Sequence, residues 1–157
     1  MAHSCVLLQV GDTPILTDPW FSERFAYHPG EPVAMTPEQL PDLDAVLVSH
    51  AHYDHCDFKA FAAYRDHGVP VIAARTVLKP AAAAGFTNVK ALEEWQTAQL
   101  RDVKITAIPA KHAVYEIGFV IEGGGRTVYF AADTLLIPSY TQKLWMRVKR
   151  KAAYLPG

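Results

Sequence analysis

The chain has 157 residues and a net charge of −1, and 50% of its residues are hydrophobic while 20% are charged. This composition supplies a core for about one domain and excludes a disordered or collagen-like chain. No apolar run approaches the roughly 18 residues of a membrane-spanning helix, and the first residues do not resemble a secretory signal. We therefore expect one cytoplasmic domain over residues 1–157, with Cys5 and Cys56 as free thiols.

The first part of the chain alternates short apolar runs with turn residues. Strands over residues 4–10 and 15–18 flank a Gly-Asp-Thr-Pro turn and predict a hairpin. A connection rich in aromatic residues and proline covers residues 19–42, and structureless loops of this length are often functional. The apolar run over residues 45–49 fits a strand that is buried on both faces.

Four aromatic residues in the long connection have two interpretations. They either form a wall beside a substrate or cover part of the core; they are Trp20, Phe21, Phe25 and Tyr27.

The rest of the chain mixes helices with strands, which is typical of an α/β layered protein. Asp57 is a predicted N-cap for a helix over residues 58–66, and a second helix covers residues 77–84. Further strands are predicted over residues 69–73, 89–92, 103–109, 116–122 and 127–131. The glycines at 123–125 join the last two strands as a hairpin.

Charge separates the end of the chain from the rest. Residues 139–157 hold five basic residues and no acidic one, which leaves ten basic and sixteen acidic residues in the remainder. Residues 138–155 are predicted to form a basic amphipathic helix with a solvated charged face, rather than a membrane-surface or nucleic-acid patch. The acidic remainder argues against a nucleic-acid partner and favours a small-molecule substrate.

The strongest chemical signal is the motif HAHYDH, which follows the buried strand directly. It places four metal-capable side chains within six residues: His50, His52, Asp54 and His55. Neutral imidazole and carboxylate are ordinary ligands of Zn²⁺. Histidines two apart in extended backbone point the same way, so the first two can bind one ion while the other two residues face a second. The alternatives are a merely polar loop and a closed structural zinc site.

Other candidate site residues lie at strand ends elsewhere in the chain. His112 follows one apolar strand and Asp133 follows another, and we favour a metal-ligand role for both. The alternatives are an exposed histidine for His112 and a helix N-cap for Asp133. Asp18 ends an early strand and is predicted to orient a metal-binding imidazole rather than to bind the metal. His3 is predicted to be an exposed residue near the N-terminus, with a role in the site as the alternative. For Tyr53, a contact with substrate and a packing role are equal alternatives.

These residues resemble the metallo-β-lactamase-fold hydrolases. The resemblance is carried by HAHYDH, His112, Ala-Asp-Thr at 132–134 and Leu-Thr-Asp-Pro at 16–19. Residues 3–8 followed by ILTDPWF look most like the branch of ascorbate-6-phosphate lactonase and the N-acyl-phosphatidylethanolamine-hydrolysing phospholipases. The resemblance implies an αββα sandwich with two zinc ions, one held by His50, His52 and His112, the other by Asp54, His55 and a bridging Asp133.

The end of the sequence departs from this family pattern. The family's second site also uses a histidine well after the bridging aspartate, whereas no histidine follows His112 here. We therefore expect a C-terminally truncated or altered member in which the second half of the sandwich is incomplete. In that case, a partner chain in an oligomer could complete the second half of the sandwich.

The predicted function is a zinc-dependent hydrolase that uses metal-bound hydroxide on an ester, lactone or phosphoester bond of a small substrate. Zinc lowers the pKa of bound water from about 15.7 to about 7. Asp54 is the predicted catalytic residue because it would orient this nucleophile and could take its proton. The alternatives are a truncated metal-binding remnant or interaction module without turnover, and oxidative chemistry on a di-iron centre.

Overall fold

The structure is a computed structural model that describes residues 3–23 and 34–135, together with residues 138, 142–143 and 145–146. Within these residues, nine strands form two sheets. The described positions of the predicted tail helix are helical, and the rest of that helix lies outside the described residues, as do Phe25 and Tyr27. Among the described residues, no helix combines the length and the apolar character needed to cross a membrane.

The first sheet is mixed and carries the motif HAHYDH at the end of its central strand. Its five strands, in spatial order, are β1 (Val6–Val10), β2 (Thr13–Thr17), β3 (Ala45–Val48), β4 (Val71–Ala73) and β5 (Val89–Ala91). β1 and β2 form the predicted hairpin, and β2 to β5 run parallel. All four residues of β3 are buried, as its continuous apolar run predicts.

Two short helices connect the parallel strands. α2 (Leu78–Ala83) agrees with the prediction, whereas α1 (Phe58–Phe61) is shorter than the predicted helix over residues 58–66. After α1, the amide of Tyr64 bonds three residues back instead of four. The reason is tertiary, because the Tyr64 hydroxyl accepts from the Leu43 amide and donates to the Pro41 carbonyl, which ties this turn to the preceding loop.

The second sheet is antiparallel throughout. Its strands, in spatial order, are β6 (Thr97–Leu100), β7 (Val103–Pro109), β8 (Ile117–Gly123) and β9 (Arg126–Phe130). The last three were expected from their apolar runs. β6 was not, because the sequence TAQL buries only Ala98 and gives little hydrophobic signal.

One hydrophobic core joins the two sheets. Ile15 and Leu47 of the first sheet belong to the same buried cluster as Ile105, Phe119 and Ile121 of the second. Because side chains of a strand alternate between its faces, residues 103, 105 and 107 of β7 all point into this core. The predicted α/β class with two packed sheets is thus confirmed.

The two hairpin turns meet where the β1–β2 and β8–β9 pairs end. Gly124 has a φ of 54°, and a Cβ at this position would lie 3.0 Å from the Gly11 nitrogen and 3.1 Å from its Cα. Replacing Gly124 by alanine should therefore lower the free energy of unfolding by about 2–4 kcal/mol, measured by urea denaturation. Gly125→Ala is the matched control, since its φ is 70° but nothing lies within 4 Å. Equal losses in both variants would contradict the contact.

Candidate metal centre

Strand ends from both sheets bring the predicted ligands together. The motif forms a loop at the carboxyl end of β3, His112 lies between β7 and β8, and Asp133 follows β9. Ala132, directly before Asp133, has a φ of 50°, the kind of backbone conformation that is concentrated at functional sites.

Backbone hydrogen bonds hold these three segments in place. The Ile117 amide at the start of β8 donates to the carbonyl of Ser49, 3.1 Å away, which joins the second sheet to the end of β3. The Lys111 amide donates to Thr134 Oγ1 at 2.7 Å, and the Leu135 amide donates to the Lys111 carbonyl at 2.8 Å. His112 and Asp133 are therefore fixed next to one another by their neighbours.

A first cluster contains three histidines. One ring nitrogen each of His50, His52 and His112 lies within 4.8 Å of the others. His52 Nδ1 and His112 Nε2 are 3.4 Å apart, and Nδ1 of His50 bonds to Ser49 Oγ at 2.9 Å. His50 Nε2 is buried and has no hydrogen-bond partner among the described residues. A buried nitrogen of this kind is costly unless it is paired, so the donor set fits a metal ion.

The surroundings of His50 keep its imidazole neutral. Burial, and then the neighbouring His55, His52 and His112, lower the pKa of His50 to about 3. Metal ions bind the neutral imidazole, so protons do not compete for this nitrogen at neutral pH.

A second cluster surrounds His55. Its Nε2 lies 3.3 Å from Asp133 Oδ2 and 3.8 Å from Asp54 Oδ2. Asp133 also forms a group with His50 and His55 whose donor atoms all lie within 4.8 Å, so this carboxylate lies between the two clusters. His3 also lies at this second cluster, because its Nε2 is 3.0 Å from His55 Nε2.

Asp18 contacts His55 from the side opposite these carboxylates. Its buried carboxylate accepts from the Ser49 amide, from Ser49 Oγ and from His55 Nδ1, each at 2.7 Å. Burial raises the pKa of Asp18, and the bonds from His55 and Ser49 oppose that rise. Burial also lowers the pKa of His55, but the bond to Asp18 and the charges of the nearby carboxylates outweigh this and raise it overall.

Glu116 is a site residue that the sequence did not indicate. It is buried, its Oε1 accepts from the Asp133 amide at 3.0 Å, and its Oε2 lies 3.6 Å from His50 Nδ1. Burial, together with the charges of Asp133 and Asp18, raises the pKa of Glu116 to about 7. The only sequence signal was a glutamate four residues after His112 that opens an otherwise apolar strand, where an exposed residue is more common.

Among the described residues, the aromatic side chains near the motif pack against the core or form hydrogen bonds to neighbouring residues. Trp20 is buried in the core, and Phe21 stacks on Phe61 at 6.0 Å between ring centroids. The Tyr53 hydroxyl donates to the Ser22 carbonyl at 3.0 Å and lies 3.3 Å from Asp57. Asp57 itself accepts from the Ala60 amide, which confirms it as the N-cap of α1.

The two cysteines are buried and free. Burial raises the pKa of Cys5 to about 11 and that of Cys56 to about 12, so both thiols remain protonated at neutral pH. A protonated thiol is a poor nucleophile and a poor metal ligand, so the buried position of both cysteines favours a packing role.

A model of the beta-lactamase superfamily domain matches residues 13–153. The chain belongs to this family. Among curated relatives, the UPF0173 metal-dependent hydrolase from Deinococcus radiodurans is 30% identical over 87% of this chain and 61% of its own length. The chain spans about 42–61% of the length of the curated relatives that it matches.

Solved structures share the fold of this chain. A possible metal-dependent hydrolase from Veillonella parvula superposes with a TM-score of 0.77 at 19% identity, covering 94% of this chain and 66% of that one. The diiron beta-hydroxylase CmlA from Streptomyces venezuelae gives 0.72 at 23% identity, covering 92% and 31%. These likenesses confirm the predicted metallo-β-lactamase fold. The lactonase and phospholipase branch, and the truncation, stay predictions.

Proposed function

We propose that this chain is a zinc-dependent hydrolase that cleaves an ester, lactone or phosphoester bond of a small substrate. The observation that carries the proposal is the meeting of three histidines, from two sheets, around the buried and unpaired Nε2 of His50. Two curated relatives, from Dinoroseobacter shibae and Deinococcus radiodurans, are named metal-dependent hydrolases, which supports the same class of reaction.

The donor atoms divide between two proposed ion positions. One ion takes His50, His52 and His112, and the other takes Asp54, His55 and Asp133. Asp133 lies close to donors of both sets, which supports a bridging role. Nitrogen and carboxylate donors suit Zn²⁺, and they also suit iron and manganese, so elemental analysis has to decide the metal.

The exposure of the carboxylates favours a catalytic site over a closed structural one. The side chains of Asp54 and Asp133 are 20% and 29% exposed, whereas His50 and His55 are fully buried. Water and substrate can therefore approach from the carboxylate side. A structural zinc site would have its ligands closed around the ion.

The chain's own residues have distinct parts in the proposed reaction. Zinc held by these residues would lower the pKa of bound water to about 7 and polarise the bond that is cleaved. Asp54 orients the attacking water and takes its proton at Oδ1, while its Oδ2 faces the second ion position. Asp18 holds His55 through Nδ1, and Ser49 Oγ, which donates to Asp18, contacts Nδ1 of His50 at 2.9 Å, so these contacts fix both imidazoles from behind.

A cleft with a volume of about 580 Å³ lies beside the motif loop. None of the proposed metal ligands lines it, so it lies outside the metal centre itself. The cleft borders the motif loop at Ala51 and Tyr53 and extends to α2 at Pro80 and Ala83. Its wall is thus shared with the loop that carries four of the proposed ligands.

The cytoplasmic location and the oligomeric state stay predictions.

Removal and return of zinc test the proposed function. Purified chain is stripped with a chelator, and hydrolysis of a lactone, a carboxylic ester and a phosphodiester is followed before and after zinc is restored. We expect hydrolysis of at least one class to disappear with the metal and return with it. Tight metal binding without hydrolysis of any class would contradict the enzyme and favour a binding module.

A further inference from the structure

We propose that His3 is a ligand of the second metal ion. This inference rests on the proposed metal centre and adds a residue from the segment before β1, far in sequence from the other ligands. It also supplies an imidazole to a cluster that, among the described residues, otherwise holds His55 and two carboxylates.

The first argument is the set of distances around His3 Nε2. This atom lies 3.0 Å from His55 Nε2, 3.6 Å from Asp54 Oδ2 and 3.6 Å from Asp133 Oδ1. His55 Nε2 in turn lies 3.8 Å from Asp54 Oδ2 and 3.3 Å from Asp133 Oδ2. Tetrahedral ligands at about 2.0–2.1 Å from zinc are about 3.3 Å apart. The five separations scatter around that value, so these donors surround one ion-sized position.

The second argument is that the fold holds His3 at this position. The carbonyl of the next residue, Ser4, accepts a hydrogen bond from Thr17 Oγ1 at 2.8 Å, and Cys5 after it is buried. The His3 ring meets Trp20 edge-on, with 5.9 Å between centroids. Its φ of 56° is uncommon for a residue with a side chain and is typical of strained functional positions.

The third argument is chemical. Zn²⁺ in protein sites prefers about four ligands, and His55, Asp54 and Asp133 provide three. A second imidazole completes the set, and the two carboxylates neutralise the charge of the ion. Without an ion, the two imidazole nitrogens at 3.0 Å can share one proton in a hydrogen bond, so the same geometry serves both states.

The inference is tested by measuring the metal content per chain of two variants, His3→Gln and His3→Ala, by elemental analysis. Glutamine keeps a hydrogen-bonding group near His55 but is a poor zinc ligand, so it separates the two roles. We expect about two ions per chain in the unmodified protein and about one in both variants. In these variants, competition with a chromophoric chelator should show that the second site loses at least about tenfold in affinity for zinc. Circular dichroism and thermal unfolding of the metal-free proteins check that the variants fold.

His67→Gln is the matched control, because this histidine bonds to the Ala62 carbonyl and stacks on Phe86, away from the clusters. It should keep both ions. If His3→Gln also keeps both ions with unchanged affinity, the inference is overturned while the proposed function stands. An unmodified chain that binds no metal would overturn both the inference and the proposed function. The variant His52→Ala distinguishes the two sites, because it should lose the first ion and keep the second.

Discussion

Replacing Asp54 by alanine should lower metal-dependent hydrolysis at least about a thousand-fold. Its carboxylate is proposed both to bind the second ion and to take the proton of the attacking water, and a positioned general base alone contributes about 10²–10⁴-fold. Its Oδ2 faces His55 Nε2 at 3.8 Å and its side chain is 20% exposed, so it can contact both metal and water. The measurement is kcat/KM of the zinc-loaded protein on the substrate class identified above.

Two further variants define what the loss means. Asp54→Asn keeps an oxygen ligand but has no basic oxygen, so retained metal with lost turnover would assign the proton transfer to Asp54. Asp12→Ala changes an exposed turn carboxylate between β1 and β2 and should leave kcat/KM unchanged. Full turnover in Asp54→Ala would contradict the proposed mechanism.

Replacing Asp18 by asparagine should weaken metal binding and the fold together. The buried carboxylate accepts three hydrogen bonds at 2.7 Å, and an amide would turn its NH₂ group toward a donor. Breaking a buried charged pair costs about 3–5 kcal/mol, which we expect in the free energy of unfolding from urea denaturation. Loss of the contact to His55 should weaken the second metal site by about 10–100-fold in chelator competition.

The control for this variant is a carboxylate at the surface. Asp42 accepts a hydrogen bond from Arg65 Nε at 3.0 Å, and the Asp42 side chain is 96% exposed. Asp42→Asn should therefore change the free energy of unfolding by less than about 1 kcal/mol and leave metal affinity unchanged. If Asp18→Asn behaves in the same way as this control, Asp18 has no orienting role.

Much of the metal centre could be predicted because its residues are adjacent in sequence or directly follow apolar strands. HAHYDH comes after β3, whose unbroken apolar run indicates burial, and the ends of buried strands are where polar site residues emerge. Glu116 was missed because its burial depends on the packing of both sheets. His3 is exposed as expected, but sequence gives no sign that the hairpin β1–β2 places it beside His55.

The fold could be predicted where hydrophobic pattern alone decides the element. β7 and β8 have long apolar runs and lie within a residue of their predicted bounds. β6 has mainly polar residues, so its strand conformation comes from pairing with β7, which sequence does not show. α1 stops early because Tyr64 bonds to a distant loop, and tertiary contacts of this kind override local helix preference.

The measurement that tests the central claim most directly is the metal content per chain, by elemental analysis of protein purified without chelator, beside a His52→Ala variant. We predict about two zinc ions per chain in the unmodified protein and loss of the first ion in the variant. No bound metal, or the same content in both proteins, would contradict the proposed metal centre.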